Sequence, residues 1–280
     1  MRKVRKAVIP AAGHGTRFLP VTKTLPKEML ALIDRPALQY IAQEAADSGI
    51  EEILVVINPE KELIRRYFSL DEATCAAEKE LNTLLERVKF SFAVQEHATG
   101  TANAVMLARD FTSDEPFAVM YGDDVILGRT PCVAQLAGAY EKTGCTVVGV
   151  QKRSAEEAGK YAVIREGEKD GRLTRALGII EKPSADDMPS TLCSLGRYIL
   201  TPDIYPAIEK APIFRGEKYL THAIDALCEK GVYAYEFEGD RYDIGDKFGF
   251  LQANIELGLK RFGKKMEDYI VELAKRTSGK

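Results

Sequence analysis

Apolar residues fall along the first half of the chain in two alternating patterns. Val4 to Ala11, Ile53 to Ile57, Phe117 to Tyr121 and Thr146 to Val150 are near-continuous apolar runs of strand length. Such runs suit strands buried on both faces of a mostly parallel sheet. Phe90, Phe92 and Val94 alternate with Ser91 and Ala93 and predict a further strand. Between these runs the period lengthens. Pro36 opens a helix over Ala37 to Ala46, with Leu38, Ile41 and Ala45 on one face and Gly49 at its end. Shorter helices are predicted over Glu60 to Tyr67, from Thr101 through Ala108, and over Pro131 to Tyr140. Strand and helix in alternation predict an α/β fold with a mostly parallel central sheet flanked by helices. A polar, alanine-rich stretch, Asp71 to Arg87, carries Leu81, Leu84 and Leu85 on one side and is expected to project as an inserted helix.

From Ser154 the pattern changes. Tyr161 to Ile164, Thr174 to Ile180 and Leu192 to Leu200 are β-like and separated by charged turns such as Glu166 to Gly171. They predict a smaller mixed sheet beside the first region. Helices are expected over Pro202 to Ile208, Tyr219 to Lys230 and Lys247 to Leu259, with Asp246 as N-cap of the last. Lys264 to Arg276 reads as an amphipathic helix presenting Met266, Tyr269, Ile270 and Leu273. It either packs back on the core or caps a partner subunit. The expected layout is therefore a domain over 1–262, with a first part at about 1–150 and a second, closing part at about 151–262, followed by the helix within 263–280.

Composition narrows the function classes. The 280 residues are 45% hydrophobic, enough for a full core without crosslinks. A net charge of −3 offers no global attraction to a polyanion, so nucleic acid is not an expected partner. The five cysteines, Cys75, Cys132, Cys145, Cys193 and Cys228, show no CxxC spacing and read as small buried hydrophobes of a reducing compartment. With neither a signal-peptide core nor a membrane-spanning apolar run, a cytoplasmic protein without membrane contact is expected.

The chemistry concentrates where the predicted strands end. After the first strand comes Ala11-Ala12-Gly13-His14-Gly15-Thr16-Arg17, then Leu25-Pro26-Lys27-Glu28. A turn with two glycines one residue apart brings backbone N–H groups close to phosphate oxygens. It lacks the third glycine of a dinucleotide fingerprint and the Gly-Lys-Ser/Thr of a P-loop, but Arg17 and Lys27 add two cations for phosphoryl charge. Gln95 and Gly100 lie in a polar turn between a strand and a helix, the usual ligand edge of a parallel sheet, and are candidates to read a base. Asp123, in Gly122-Asp123-Asp124, is a candidate Mg²⁺ ligand, and Asp243 before a glycine turn is a candidate second carboxylate. In Ile179-Ile180-Glu181-Lys182-Pro183 an acid and a base adjoin. Neighbours in a strand face opposite sides, so Glu181 and Lys182 share a side only if the backbone turns there.

Taken together, Gly13-His14-Gly15-Thr16-Arg17, Leu25-Pro26-Lys27-Glu28-Met29-Leu30, Gly122-Asp123-Asp124, Glu181-Lys182-Pro183, Gly196-Arg197-Tyr198 and Asp243-Ile244-Gly245 resemble the bacterial UTP–glucose-1-phosphate uridylyltransferases of the sugar-nucleotidyltransferase family. The resemblance runs from about Val4 to Leu259, and the stretch Asp71 to Arg87 resembles these enzymes more than their dTDP-sugar cousins. It implies a Rossmann-like core and Mg²⁺-assisted synthesis of UDP-glucose and pyrophosphate from UTP and glucose 1-phosphate. Ala12, Gly13, Gly15 and Thr16 would then wrap the nucleotide, Gln95 and Gly100 would read the base, and Arg17 and Lys27 would contact phosphates. Asp123 and Asp243 would hold Mg²⁺, Lys182 would meet the sugar phosphate, and Glu181, with Ala162 and Gly196, would meet the sugar. A homodimer or homotetramer is implied. The chain departs from the family where Ala162 follows Tyr161 in place of a glycine, and at Gly100-Thr101-Ala102-Asn103, where close relatives have Gly-Leu-Gly-His. Those positions, with Gln95, bear on one alternative, the same chemistry with dTTP or another hexose 1-phosphate; a second, a non-catalytic nucleotide-sugar sensor, is opposed by the retention of two acids and three basic residues.

Overall fold

The computed structural model describes residues 2–69, 79–214 and 216–278. Its strands in chain order are β1 (Lys6–Pro10), β2 (Ala31–Leu32), β3 (Arg35–Pro36), β4 (Glu52–Ile57), β5 (Lys89–Val94), β6 (Phe117–Met120), β7 (Asp124–Leu127), β8 (Thr146–Lys152), β9 (Ala162–Asp170), β10 (Leu173–Glu181), β11 (Leu192–Leu200), β12 (Val232–Glu236) and β13 (Asp240–Asp243). Nine of them form one sheet in the order β5-β4-β1-β6-β11-β8-β12-β10-β9. β5, β4, β1 and β6 are parallel, β11 runs against both β6 and β8, and β12 is parallel to β8.

The apolar runs explain this arrangement. Within β1, Ala7 and Ile9 enter one core and Val8 the other; in β6, Ala118 and Met120 enter the first and Phe117 and Val119 the second. Because alternate residues point to opposite faces, a continuous apolar run needs cover on both. The helix Ala37–Asp47 covers the first face with Leu38, Ile41 and Ala45. The helices Thr101–Met106, Ile204–Lys210 and Leu220–Asp225 cover the second.

Three expectations change. The later β segments are not a separate sheet: β9 and β10 continue the central one, and β9 also pairs with β11 at Val163 and Cys193, so the last five strands curl back on themselves. The charged stretch from Glu166 is strand up to Asp170, and Gly171-Arg172 alone makes the hairpin turn, with Gly171 at φ +58°. Its polarity reflects exposure of a hairpin tip rather than a break in the backbone. The described part of the expected insertion, Lys79–Arg87, does not project, because Leu84 is fully buried and Arg87 Nη1 donates to Asp47 Oδ1 at 2.9 Å. An apolar stripe on a helix is costly to leave in water. Residues 71–78, including Cys75, lie outside the described residues. The final helix, Lys264–Ser278, lays Met266 near Gly258 but leaves Tyr269, Val271 and Leu273 exposed.

Candidate active site

A cleft of about 1540 Å³ opens along the sheet edge where β1, β5 and β6 end, and extends to β9, β10 and β13. Ala12, Gly13, Arg17 and Lys27 line it, together with Gln95, Gly100, Asp123, Ala162, Glu181, Lys182, Gly196 and Asp243. Gly15 and Thr16 do not line it. Gly15 instead shapes the turn, with φ +66° and its carbonyl accepting Thr22 Oγ1 at 2.9 Å. A Cβ on Gly13 would point into open space, so the backbone there is accessible to a ligand.

The turn rests on charges that the sequence did not reveal as related. Lys61 and Glu28 are almost fully buried, and Lys61 Nζ donates to Glu28 Oε2 at 2.7 Å and to the Ala11 carbonyl at 2.6 Å. Asn58 Nδ2 donates to the Ala12 carbonyl at 2.9 Å. Burial raises the Glu28 carboxyl above its ordinary pKa against the pull of Lys61, and burial lowers Lys61 despite Glu28. Gly122 passes so close that a Cβ there would lie 3.1 Å from Glu28 Cγ.

The short antiparallel ribbon β7/β13 brings the two candidate metal carboxylates together. Asp243 lies opposite Asp124 in its register, and Ile244 N–H donates to the Asp123 carbonyl at 3.0 Å. A Cβ on Gly245 would fall 2.9 Å from Asp123 Oδ2, 3.0 Å from Asp243 Oδ1 and 3.4 Å from Arg17 Nη2. Only glycine leaves that space clear. Lys27 Nζ donates to Asp123 Oδ2 at 2.5 Å. Burial opposes both charges, but Asp123 and Glu28 carry Lys27 above its ordinary value, while Lys27 and Arg17 bring Asp123 below its own. Among the described residues no three or more His, Cys, Asp or Glu side chains form a closed metal site. Two carboxylates lining a cleft with Arg17 and Lys27 fit a hard, partly hydrated divalent cation, which needs few protein oxygens.

Arg241 holds this ribbon in place, a role for which the sequence carried a signal. It lies two residues before Asp243 in β13, hence on the same face. Its Nε donates to Asp124 Oδ1 at 2.7 Å, its Nη1 to Tyr161 Oη at 2.8 Å and its Nη2 to Asp243 Oδ2 at 3.3 Å. Burial, with Asp123 and Asp243 nearby and Arg241 opposing, pushes Asp124 up to about 6. Asp124 is thus an internal member of the cluster. Its Oδ2 occupies the place a Cβ on Gly196 would need, and Gly196 sits at φ +68° in mid-strand.

On the opposite wall, Lys182 adopts φ +47°, the backbone turn that lets it and Glu181 face one cleft. Ala162 is paired with Glu181 across β9 and β10. Lys182 Nζ lies 3.6 Å from Glu181 Oε1 and 5.2 Å from the centre of the Tyr219 ring. Thr221 Oγ1 donates to Glu181 Oε2 at 2.7 Å. At the end of β5, Gln95 is buried and its Nε2 donates to the Gly100 carbonyl at 3.4 Å. Gly100 has φ +106°, and a Cβ there would collide with the Lys218 backbone. Like Arg241 and Lys61, the side chains of Tyr161, Tyr219 and Thr221 were missed by sequence reasoning; these three are uncharged residues within predicted helix and strand runs and gave no signal.

Residues 6–258 match the nucleotidyl transferase family model. A UTP–glucose-1-phosphate uridylyltransferase 2 of Staphylococcus saprophyticus is 43% identical over 99% of each chain. A UTP–glucose-1-phosphate uridylyltransferase of Bacillus subtilis is 42% identical over 97% of this chain and 96% of its own. Among solved structures, a UDP-glucose pyrophosphorylase complexed with UDP-glucose superposes with a TM-score of 0.89, at 34% identity over 92% of this chain and all of that one. A UTP-bound UGPase from Acinetobacter baumannii gives 0.85, at 31% identity over 96% and 99%.

Proposed function

The chain belongs to the nucleotidyl transferase family and within it to the UTP–glucose-1-phosphate uridylyltransferases, and on that premise we propose that it joins UTP and glucose 1-phosphate into UDP-glucose, releasing pyrophosphate. One observation carries the reading. Arg17, Lys27 and Lys182 converge on a single cleft with Asp123 and Asp243, the last two beside a glycine that keeps the space between them clear. Three cations around two carboxylates suit a reaction that brings two phosphorylated molecules together.

A phosphate oxygen of the sugar attacks the α-phosphorus of UTP in line, the bond to the β-phosphate oxygen breaks, and pyrophosphate leaves with its electrons. The attacking oxygen is already anionic, so no protein nucleophile is required. Lys182 reaches the sugar phosphate from the β10 side, while Arg17 and Lys27 meet the departing phosphates from the glycine turn. Glu181 accepts hydrogen bonds from hexose hydroxyls, and Gln95 with the backbone at Gly100 reads the base. Mg²⁺ held by Asp123 and Asp243 would supply charge neutralisation at the phosphates. Holding both anions in register accounts for much of the remaining acceleration.

Residues of about 1–150 form the nucleotide part of a domain over 1–262 and those of about 151–262 its closing part, in this reading. Exposed apolar residues on its last two helices, Phe248, Leu251, Ile255, Tyr269 and Leu273, support a homodimer or homotetramer. Among the described residues no helix is long and apolar enough to cross a membrane, which agrees with a cytoplasmic enzyme.

The test is pyrophosphate release by the purified protein with a panel of nucleoside triphosphates and sugar 1-phosphates, with and without Mg²⁺. Fastest release from UTP with glucose 1-phosphate, and none without the cation, is expected. Faster release with dTTP would overturn the base assignment, and release from no pair would favour a sensor. Lys182→Ala is expected to lower kcat about a hundredfold while leaving the KM for UTP near that of the parent.

A further inference from the structure

Four consecutive residues, Lys218 to Thr221, touch both walls of the cleft. On the base side Lys218 N–H donates to the Thr99 carbonyl at 2.9 Å, and the Lys218 carbonyl accepts from Ala102 N–H at 3.0 Å. Leu220 N–H donates to Thr101 Oγ1 at 3.1 Å. The fit is close enough that only glycine is tolerated at position 100. On the other side the Tyr219 ring lies beneath Lys182, and the hydroxyl of Thr221, itself 4% exposed, donates to Glu181 Oε2.

A glutamate carboxylate turns readily about its last side-chain bond, so its position alone does not fix where its lone pairs point. A hydroxyl at 2.7 Å to a carboxylate is a charge-assisted bond that fixes one oxygen. Oε1 then remains on the Lys182 side of the cleft.

We propose that Thr221 is a positioning residue for the hexose: it sets the plane of the Glu181 carboxylate, and the Lys218–Leu220 backbone ties that setting to the loop that reads the base. This rests on the assignment of Glu181 to the sugar hydroxyls. The segment makes the sugar site sensitive to the position of the Thr99–Ala102 loop, although no residue of that loop hydrogen-bonds to Glu181. The hydroxyl on Thr221 therefore acts on sugar affinity, whereas the phosphates at the reacting centre are held by other groups.

Steady-state pyrophosphate release tests this with the full chain. Thr221→Val is expected to raise the KM for glucose 1-phosphate about tenfold, with kcat at saturating sugar and the KM for UTP each within about twofold of the parent. Thr221→Ser is expected to restore the sugar KM. A fall in kcat with no change in the sugar KM would overturn the proposal, as would a serine variant no better than valine. Thr221→Ala carries the same expectation as valine should the valine variant fold poorly. Thr101→Val, which removes the acceptor of the Leu220 N–H, is expected to raise the sugar KM in the parent background and to add little in Thr221→Val, because both act through one carboxylate; fully additive effects would sever the link to the base loop. Failure of the functional reading itself looks different, since the parent protein would then release no pyrophosphate from this substrate pair.

Discussion

Beneath the cleft and on the outer shell the molecule uses the same kinds of ion pair under opposite conditions. Below the cleft, Arg197 is fully buried and its guanidinium donates to both oxygens of Glu44, to the Asp124 carbonyl at 2.7 Å and to the Gly196 carbonyl at 3.2 Å. Glu44 also accepts from Val133 N–H at 3.2 Å. On the shell, Arg109–Glu209 closes at 2.8 Å and Arg261–Asp34 at 2.6 Å, with all four side chains about half exposed. Water can replace either partner on the shell. In the floor every donor needs a protein acceptor, so each pair also fixes the backbone segments it touches. Arg197 joins β11 to the loop carrying Asp123 and Asp124, and Lys61 joins the glycine turn to Glu28 beside Lys27. The floor pairs thus position Asp124 and the glycine turn, and the shell pairs do not.

Arg197→Met is the strongest way to break this contrast. It leaves Glu44 buried without its cation, and the expected loss is about 3–5 kcal/mol in urea unfolding. Adding Glu44→Met should recover most of that loss, because a buried pair replaced by apolar groups is often neutral. A single-variant loss below about 1 kcal/mol would place this pair with those on the shell.

Lys61→Met probes the other floor pair and has a smaller expected cost of about 2–3 kcal/mol, since Glu28 can take up a proton. Glu28 is already raised by burial with Lys61 opposing, so removal of Lys61 raises it further. A carboxyl whose folded pKa is raised contributes stability that is present below its unfolded value, near 4.5, and is lost as pH rises through the folded value. The variant should therefore lie closest to the parent at acid pH and diverge from it as pH rises towards neutrality. Melting curves across that range check the sign, and a gap that narrows on raising the pH would be incompatible with an unpaired Glu28.

The same contrast explains what the sequence disclosed. The parallel strands were legible because a two-faced core demands continuous apolar runs, as in Ile53 to Ile57, and Asp246 was legible as a cap because its carboxylate takes the Phe248 and Gly249 amides. The glycine turn, the acids after β6 and the Glu181-Lys182 corner lie where strands end, so local pattern located them. The floor pairs were hidden because Glu44 and Arg197 are 153 positions apart and each looks like an ordinary surface residue in its own helix or strand. The hairpin from Glu166 was misread for the converse reason: its side chains are charged because both faces meet solvent, and polarity there says nothing about backbone shape. Thr221 lies between these cases, a small polar residue whose importance comes from the carboxylate it faces.

The smallest expected effect sharpens the contrast from the shell side. Lys6 Nζ lies 2.8 Å from Glu115 Oε1, with the lysine side chain 14% and the glutamate 34% exposed, between floor and shell, and also sits 5.7 Å from the Phe111 ring centre. The hydrogen bond from Lys6 holds Glu115 below its ordinary pKa, with partial burial opposing and the Lys6 charge assisting. A carboxylate with a depressed folded pKa contributes stability that is complete above its unfolded value, near 4.5, and is lost as pH falls through the lower folded value. The gap between the parent and Lys6→Met should therefore be flat from pH 8 to about pH 5 and shrink below it, the reverse of the Lys61→Met trend. Screening limits its size to less than about 1 kcal/mol, or roughly 2 °C in Tm. The contact with Phe111 leaves a pH-independent remainder, and salt should erode the ion-pair component more than that remainder. A gap as large as that of Lys61→Met would mean that exposure does not separate the two classes of pair, and a gap that widens in acid would remove Lys6 as the partner that holds Glu115 ionised.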